Sequence, residues 1–362
     1  MAKSRQCRGC GAPLQSEEVD NSGYLPEHIL NDPGKALVCQ RCYRIAHYGK
    51  DQKTTITPDV ACNIVKSSVD WAEAVLLVVD LMDFEGSLPP QIVELLRGKK
   101  GIALVNKGDL LPPKTTIIEA RKWVEAQLGH HGLSLHTRVI SGISGLGIRD
   151  LVAEILKQPY ERWVVVGATS VGKSTLISTM LHQQERTAGG VPTIAKFPGT
   201  TVEKLQWKIS NKVTLMDTPG IVPENRLSDR VCVDCARKLV PARAINVKVY
   251  ELAEHQGLVI PGLAAVKVEG SAMVILGFTA SEVSWQRANH NKFEYWLGKR
   301  CADCPQSEWI THEVTIPSHH DLAIHGLGWI SVRRTEVKCA LTIPANVAFS
   351  VRPNLVGARK KR

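Results

Sequence analysis

The sequence lacks any apolar run close to the roughly 20 residues that a membrane-spanning helix needs. Its longest apolar stretches, such as residues 74–79, have the length of a buried strand. The first residues also lack the apolar core of a secretory signal peptide. With 44% hydrophobic and 22% charged residues, the chain does not have the composition of a disordered protein either. We therefore expect a folded, non-secreted protein in the cytoplasm or, after removal of a targeting segment, in an organelle matrix or stroma.

Positive charge exceeds negative charge in this chain of 362 residues, with 45 Lys and Arg against 35 Asp and Glu and a formal net charge of +10. Residues 222–362 hold 19 of the basic and 13 of the acidic residues, so +6 of the net charge lies there. This excess favours a polyanionic partner such as nucleic acid, although a basic protein without such a partner also has this composition.

Eight of the ten cysteines form four C-x-x-C pairs. In a chain without a secretion signal, such pairs are typical of metal ligands, and two pairs complete a tetrahedral four-thiolate zinc site. The first two pairs lie in a segment poor in apolar residues, where a zinc ion would supply missing stability. We predict a structural zinc finger in residues 1–62, with the ligands Cys7, Cys10, Cys39 and Cys42.

The other two pairs lie 65 residues apart in the C-terminal part of the chain. They could form a second four-thiolate zinc site, or they could remain free thiols. The cysteines concerned are Cys232, Cys235, Cys301 and Cys304.

A phosphate-binding loop is the strongest chemical signal in the sequence. A β-branched run at residues 163–166 predicts a buried parallel strand, and G-x-x-x-x-G-K-S follows directly at residues 167–174. In such a loop, Lys173 reaches the β- and γ-phosphates, the Ser174 hydroxyl is a ligand of Mg²⁺, and the following helix directs its N-terminus at the phosphates. The predicted nucleotide contacts are Gly167, Ser170, Val171, Gly172, Lys173, Ser174 and Thr175.

Two downstream segments complete the phosphate side of the predicted site. Asp217 opens a D-T-P-G sequence at a strand end, where a carboxylate holds Mg²⁺ through water, and the Gly220 N–H can contact a γ-phosphate. Residues 198–201 read Pro-Gly-Thr-Thr and predict a switch segment with Thr201 as a Mg²⁺ ligand, or else Thr200. The predicted catalytic residues are Lys173, Ser174, Thr201, Asp217 and Gly220.

Guanine specificity is predicted by residues upstream of the phosphate loop. A predicted strand at residues 101–105 is followed by Asn106, Lys107, Gly108 and Asp109, which match the N-K-x-D signature. The Asp109 carboxylate can accept two hydrogen bonds from guanine, and the Lys107 stem packs over the base. Residues 141–143 resemble the S-A-K element whose backbone N–H contacts guanine O6, which adds Ser141 and Gly142 to the predicted site.

The order of these motifs is unusual. An ordinary GTPase runs phosphate loop, switch threonine, D-x-x-G, N-K-x-D and S-A-K, whereas this chain runs N-K-G-D, S-G-I, phosphate loop, P-G-T-T and D-T-P-G. We interpret this order as a circular permutation, since domain termini often lie close together. Alternating strands and helices in residues 63–221 predict an α/β domain with a mostly parallel sheet. The predicted strands are 74–80, 101–105, 135–140, 162–167, 204–209 and 212–216, and the predicted helices are 89–98, 114–128, 147–157 and 173–183.

The third predicted domain, residues 222–362, is basic, rich in short strands and suited to RNA or ribosome binding. Because the D-T-P-G segment leads directly into it, we expect the nucleotide state to control what this domain binds. Trp285, Trp296, Trp309 and Trp329 lie among basic residues, and each could stack on a base or belong to a β-domain core.

A zinc finger, a permuted GTPase domain and a basic C-terminal domain in this order resemble the YqeH-type ribosome-assembly GTPases. Residues 38–48, 78–87 and 326–330 are also similar to that family, and the resemblance covers almost the whole chain. It implies GTP hydrolysis coupled to maturation of the small (30S) ribosomal subunit, with rRNA or a ribosomal protein as the partner. The implied ligands are GTP or GDP, Mg²⁺ and Zn²⁺, and we expect a monomer without membrane contact.

Two residues depart from patterns known in related enzymes. The resembled family usually carries Asn where Ser170 stands, and that Asn helps to hold a potassium ion, so K⁺ stimulation stays open here. Ile221 occupies the position where Ras-like enzymes place a Gln that orients water, which predicts slow intrinsic hydrolysis completed by a partner. Two other functions stay open: a regulatory GTPase with a protein partner, and a zinc-dependent nucleic-acid binder that holds GTP as a structural ligand.

Overall fold

The computed structural model describes residues 13–17, 24–25, 27–30, 57–112, 115–188, 194–196, 205–270 and 272–357. Two sets of predicted residues lie outside the described ones: the first zinc site, Cys7, Cys10, Cys39 and Cys42, and the switch threonines Thr200 and Thr201. The described part contains one seven-stranded and two five-stranded β-sheets.

The seven-stranded sheet has the order β3-β2-β1-β4-β7-β6-β5. Strands β3, β2, β1, β4 and β7 are parallel, and β6 and β5 continue the sheet in antiparallel pairs. Every residue of β1 is buried, because helices cover a parallel sheet on both faces. The strands are β1 (Ala74–Asp80), β2 (Gly101–Asn106), β3 (His136–Val139), β4 (Arg162–Gly167), β5 (Ile194–Lys196), β6 (Leu205–Lys208) and β7 (Thr214–Asp217).

The helices of this part alternate with the strands and share one hydrophobic core with them. Thr116 begins one helix with a capping box, since its hydroxyl accepts from Glu119 N and the Glu119 carboxylate accepts from Thr116 N. The described helices are α1 (Glu27–Leu30), α2 (Pro58–Trp71), α3 (Pro90–Leu96), α4 (Ile117–His130), α5 (Ile148–Lys157), α6 (Lys173–Ala188), α7 (Val233–Leu239) and α8 (Phe293–Leu297).

Two antiparallel sheets follow the parallel one along the chain. Their orders are β12-β9-β10-β16-β13 and β17-β14-β15-β11-β8. Their inward-facing side chains form a second core that includes Trp285, while Trp329 stacks on Phe278 with ring centroids 4.8 Å apart. The strands are β8 (Asn246–Leu252), β9 (Gln256–Ile260), β10 (Ala264–Val268), β11 (Met273–Thr279), β12 (Gln286–Asn289), β13 (Trp309–Ile316), β14 (His320–Ile324), β15 (Gly328–Ser331), β16 (Val337–Pro344) and β17 (Phe349–Pro353).

Direct contacts join the antiparallel sheets to the parallel one. Trp123 Nε1 of α4 donates to the Pro353 carbonyl at 2.8 Å, and the Gly326 N–H donates to Asp83 Oδ1 at 2.9 Å. Arg352 forms an ion pair with Glu85, which follows β1. The turn after β1 and helix α4 are therefore fastened to the C-terminal sheets.

The predicted fold class is confirmed: a P-loop GTPase domain with a mostly parallel sheet precedes antiparallel β-structure. Helix α2 and strand β5 were not predicted. Helix α2 runs across the predicted domain boundary between residues 62 and 63. The domain boundaries themselves stay predictions. No described helix combines the length and the apolarity that crossing a bilayer requires.

Candidate nucleotide site

The candidate site lies beside β4, where the strands that follow in sequence are added on the opposite side of the sheet from β2 and β3. Strands β1 to β3 extend to one side of β4, whereas β7, β6 and β5 extend to the other. In an open parallel sheet, the crevice at the carboxyl ends of the strands beside such a point is the usual ligand site. The phosphate loop follows β4 directly and therefore enters this crevice.

The phosphate loop needs small residues and special backbone angles. A Cβ on Gly167 would lie 2.5 Å from the Val78 carbonyl oxygen of β1, so only glycine fits there. Gly172 has φ +94°, and a Cβ on it would lie 2.4 Å from Asn106 Nδ2. Ser170 has φ +63°, a left-handed conformation in which Asn is far more common than Ser. Since Ser174 and Thr175 are exposed at the start of α6, this helix end is accessible to a nucleotide.

Lys173 lies inside the loop, with 8% of its surface exposed. Its Nζ donates to the carbonyl oxygens of Gly167 at 3.0 Å and Ala168 at 2.9 Å. Burial lowers the pKa of Lys173 to about 8, and the nearby Asp217 opposes that shift. A phosphate group that reached this ammonium would therefore favour its charged form.

Asp217 ends β7 beside Lys173. Its Oδ1 is buried and has no hydrogen-bond partner among the described residues. Burial raises the pKa of Asp217 to about 6, against the opposing effect of Lys173. A hydrated Mg²⁺ would satisfy this oxygen and favour the ionised carboxylate, so the residues present fit the magnesium ion that a GTPase domain implies.

The D-T-P-G segment is hydrogen-bonded to the phosphate loop. Ile221 N donates to the Gly167 carbonyl at 3.3 Å, and Thr169 N donates to the Ile221 carbonyl at 2.9 Å. A Cβ on Gly220 would lie 2.8 Å from Thr169 Cα and 2.9 Å from Lys173 Nζ. Gly220 therefore packs directly against the phosphate loop and the Lys173 ammonium, and the apolar Ile221 side chain beside it is buried.

Asn106 links the two halves of the site. Its Nδ2 donates to the Val171 carbonyl at 2.8 Å, and its Oδ1 accepts from Gly142 N at 2.9 Å. The N-K-G-D and S-G-I elements, which lie far from the phosphate loop in sequence, are thus assembled around it. Thr179 Oγ1 of α6 also donates to the Gly142 carbonyl at 2.6 Å, which fixes the S-G-I turn.

Lys107 and Asp109 occupy the predicted base side of the site. Lys107 has φ +67°, and its Nζ forms an ion pair with Asp80 at the end of β1. This ion pair ties Lys107 to the end of β1, and Asp109, two residues on, is exposed to solvent. Asp80 was not predicted as a site residue. What each residue of the site binds stays a prediction.

Arg226 is a second residue that the motifs did not indicate. Its guanidinium donates to the Thr169 carbonyl at 3.2 Å, to Thr169 Oγ1 at 3.0 Å and to Asp229 Oδ2 at 2.9 Å, with only 4% of the side chain exposed. Arg226 therefore ties the phosphate loop to the segment that leads to the C-terminal sheets. A single arginine outside any motif has no sequence pattern by which to find it.

Away from the nucleotide site, the structure brings together the second set of predicted thiols. The ligand atoms of Cys232, Cys235, Cys301 and Cys304 all lie within 4.8 Å of one another. Of the four tryptophans considered for base stacking, Trp285 and Trp329 are core residues, and Trp296 and Trp309 are half-buried.

Comparison with a family model agrees with the geometry of the site. Residues 162–256 match a family described as a 50S ribosome-binding GTPase. The match begins at β4 and includes the phosphate loop and D-T-P-G. The guanine signature at residues 106–109 lies before the matched region, as a permuted order requires.

Whole-sequence comparisons extend the similarity. The chain is 27% identical to YqeH, an uncharacterized protein of Bacillus subtilis (strain 168), over 97% of this chain and 99% of that protein. It is 30% identical to human nitric oxide-associated protein 1 over 57% of this chain and 36% of that protein. It is also 30% identical to ribosome biogenesis GTPase A of Bacillus pumilus (strain SAFR-032), over 37% of this chain and 48% of that protein.

Proposed function

Because the chain belongs to the YqeH-type circularly permuted GTPases, we propose that it couples GTP hydrolysis to ribosome assembly, and specifically to assembly of the small (30S) subunit. The observation that carries this proposal is that Arg226, on the segment leading to the basic β-domain, is hydrogen-bonded to the phosphate loop itself. A relative named as a ribosome biogenesis GTPase supports the ribosomal role.

On this proposal the chain's own residues bind and orient the triphosphate. Lys173 would exchange its two carbonyl partners for β- and γ-phosphate oxygens, since its ammonium already lies at the end of the loop. The Gly220 N–H would contact the γ-phosphate, and Asp80 would hold Lys107 over the base. Mg²⁺, when bound by Ser174 and the water network of Asp217, would supply neutralising charge on the phosphoryl oxygens.

Hydrolysis by the isolated chain should be slow. Ile221 is buried, and both its N–H and its carbonyl are engaged by the phosphate loop, so it cannot position the attacking water. We propose that the assembling ribosome completes the site with a group that orients or polarises this water.

Nucleotide state would reach the C-terminal sheets through Arg226. A γ-phosphate beside Thr169 would attract this guanidinium and alter its contact with the loop. Leu227 N, the next residue, donates to the His325 carbonyl at 2.8 Å, and Ala348 N donates to the Asn225 carbonyl at 2.9 Å. A shift of Arg226 would therefore move backbone that is bonded to two loops of the β-domain.

An aromatic and basic surface on the β-domain supports RNA as the partner. Tyr295 is 59% exposed, and Lys299 Nζ lies 4.6 Å from its ring centroid. Arg300 Cζ lies 5.1 Å from the Trp309 ring, and Trp296 packs edge-on against Tyr295. An exposed ring and two half-buried rings beside cations form a combination that can stack on unpaired bases and contact phosphates.

Cosedimentation with purified 30S and 50S subunits in GTP, GDP and a non-hydrolysable GTP analogue tests the proposal. We expect nucleotide-dependent binding to 30S subunits, which Lys173→Ala abolishes. Equal sedimentation in GTP and GDP would contradict the coupling, and binding to 50S subunits alone would contradict the choice of subunit.

Two variants separate the coupling from the RNA surface. Arg226→Ala should bind 30S subunits about equally in both nucleotide states, whereas Arg243→Ala, at an exposed arginine downstream, should behave like wild type. Tyr295→Ala combined with Arg300→Ala should weaken binding in both states and leave GTP turnover by the free protein unchanged. Crosslinks to ribosomal protein without crosslinks to rRNA would contradict RNA as the partner.

A further inference from the structure

Two C-x-x-C pairs converge at the edge of the C-terminal sheets. Cys232 and Cys235 lie at the start of α7, on the segment that leaves the nucleotide site, and Cys301 and Cys304 lie in the loop between α8 and β13. All four ligand atoms fall within 4.8 Å of one another, although the pairs are separated by 65 residues of sequence.

The spacing of the sulfur atoms suits a shared metal ion. Cys232 Sγ lies 3.9 Å from Cys301 Sγ. Four thiolates at about 2.3 Å from a tetrahedral zinc ion lie about 3.8 Å from one another, whereas a disulfide requires about 2.0 Å. None of the four cysteines forms a disulfide. The Cys232–Cys301 distance therefore matches one edge of a four-thiolate tetrahedron around zinc, and all four sulfur atoms lie within 4.8 Å of one another.

Local backbone structure holds both pairs in place. Cys232 is the residue before the first helical turn of α7, its carbonyl accepts from Ala236 N at 2.8 Å, and Cys235 follows within that turn. Cys304 N donates to the Cys301 carbonyl at 3.1 Å and closes a tight turn. Cys232 N in turn donates to Cys304 Sγ at 3.3 Å, so a backbone N–H from one pair already contacts a sulfur of the other.

Basic residues beside the thiols favour a negatively charged metal cluster, and helix α7 packs so lightly that a metal ion would add to its attachment. A cavity of ≈ 260 Å³ beside them is lined by Arg230, Lys299 and Arg300, whose charges offset the net −2 of four thiolates with a divalent ion. Among its seven residues, α7 buries only Leu239, and Val233 is 60% exposed. Apolar packing alone therefore holds this helix weakly against the sheets.

We propose that Cys232, Cys235, Cys301 and Cys304 bind one Zn²⁺ ion, which fixes the segment leaving the nucleotide site to the β-domain. All-thiolate tetrahedral coordination selects zinc among the common divalent ions and leaves no open position, so the site is structural. The ion holds Cys232 only six residues after Arg226. It therefore anchors the far end of the segment whose near end contacts the phosphate loop.

Zinc content of the full-length protein, measured by mass spectrometry of the metal, tests this site. Cys301→Ser combined with Cys304→Ser should lose about one zinc per chain relative to wild type. The control Cys62→Ser, which makes the same change at a single cysteine in α2, should lose none. Equal zinc content in the double variant and wild type would overturn the proposal.

A second variant keeps the test valid if the first does not fold. Serine at the four N-terminal positions Cys7, Cys10, Cys39 and Cys42 removes the other predicted site, and this protein should retain about one zinc with a sulfur-only shell near 2.3 Å in X-ray absorption. Absence of zinc, bound iron instead of zinc, or a disulfide between the two pairs would refute the proposal.

Amide exchange distinguishes anchoring of α7 from a general loss of structure. When the Cys301/Cys304 double variant loses its metal, exchange should rise at residues 233–239 and stay at the wild-type level in β10. Unchanged exchange in α7 would show that the ion does not anchor this segment.

Discussion

The ion cluster around Arg352 gives the sharpest prediction about how the C-terminal sheets are held to the nucleotide domain. Arg352 is 3% exposed, and its Cζ lies 4.9 Å from the Trp123 ring and 5.3 Å from the Trp329 ring. Its guanidinium pairs with Glu85, and its Nε lies 3.8 Å from Asp321 Oδ2. Burial raises the pKa of Asp321, and Arg352 opposes that rise.

Arg352→Met removes the charge and keeps much of the side-chain volume. It leaves the Glu85 carboxylate, only 13% exposed, without its cation and removes the cation beside the fully buried Asp321. Breaking a buried ion pair from one side costs about 3–5 kcal/mol of unfolding free energy. Glu85→Gln should cost less, about 1–2 kcal/mol, because Asp321 still faces the arginine and the amide oxygen still accepts a hydrogen bond.

Urea unfolding of wild type, both single variants and the double variant forms a double-mutant cycle. The double variant should be more stable than the sum of the single effects predicts, with a coupling energy of about 1–3 kcal/mol. Arg237→Met is the control, since its ion pair with Asp234 is exposed and should be worth less than about 0.5 kcal/mol. A cost below about 1 kcal/mol for Arg352→Met, or strictly additive effects, would refute the buried cluster.

Three further predictions concern the nucleotide site. Asp109→Asn should shift preference from GTP to xanthosine triphosphate in a competition assay, because the base side loses its carboxylate acceptor. Ser170→Asn places a residue that tolerates φ +63° in the loop, and turnover in KCl relative to NaCl should rise; an unchanged ratio would contradict this. The folded-state pKa of Asp217, about 6, exceeds its ordinary 3.8, so ionisation of this buried group costs stability above pH 6, and the cost disappears as the pH falls towards 3.8. In urea unfolding at pH 7.5, the unfolding free energy of Asp217→Asn should therefore exceed that of nucleotide-free wild type by about 1–3 kcal/mol. At pH 4.5 the two unfolding free energies should be nearly equal.

Elements with a strong local pattern were predicted closely. The strands at residues 74–80 and 162–167 have the predicted bounds, since β-branched runs bury both faces of a parallel strand. Helix α2 was missed although Thr57 caps it, Pro58 opens it and Asp59 lies in its first turn. Because these capping signals are local, the sequence alone contained enough information to predict this helix.

The candidate site was predictable where one short motif carries the chemistry. The phosphate loop at residues 167–174 could be read directly, because its glycines are required by backbone approach within a few residues. The roles of Asp80 and Arg226 were not predictable, because each depends on a partner that is distant in sequence. Asp80 pairs with Lys107, 27 residues away, and Arg226 pairs with Thr169, 57 residues away. Such pairs have no spacing rule that a single sequence reveals.

Local sequence patterns were enough to predict the phosphate loop, the permuted order of the motifs and the β-rich character of the C-terminal part. These features depend on contiguous residues whose backbone and side-chain requirements are local. Three other features could be known only from the tertiary structure. The two C-terminal cysteine pairs meet, and Trp285 and Trp329 belong to hydrophobic cores. Arg226 and Arg352 join the C-terminal sheets to the nucleotide domain. Each of these depends on how separate elements pack, and packing is set by the whole core rather than by any one segment.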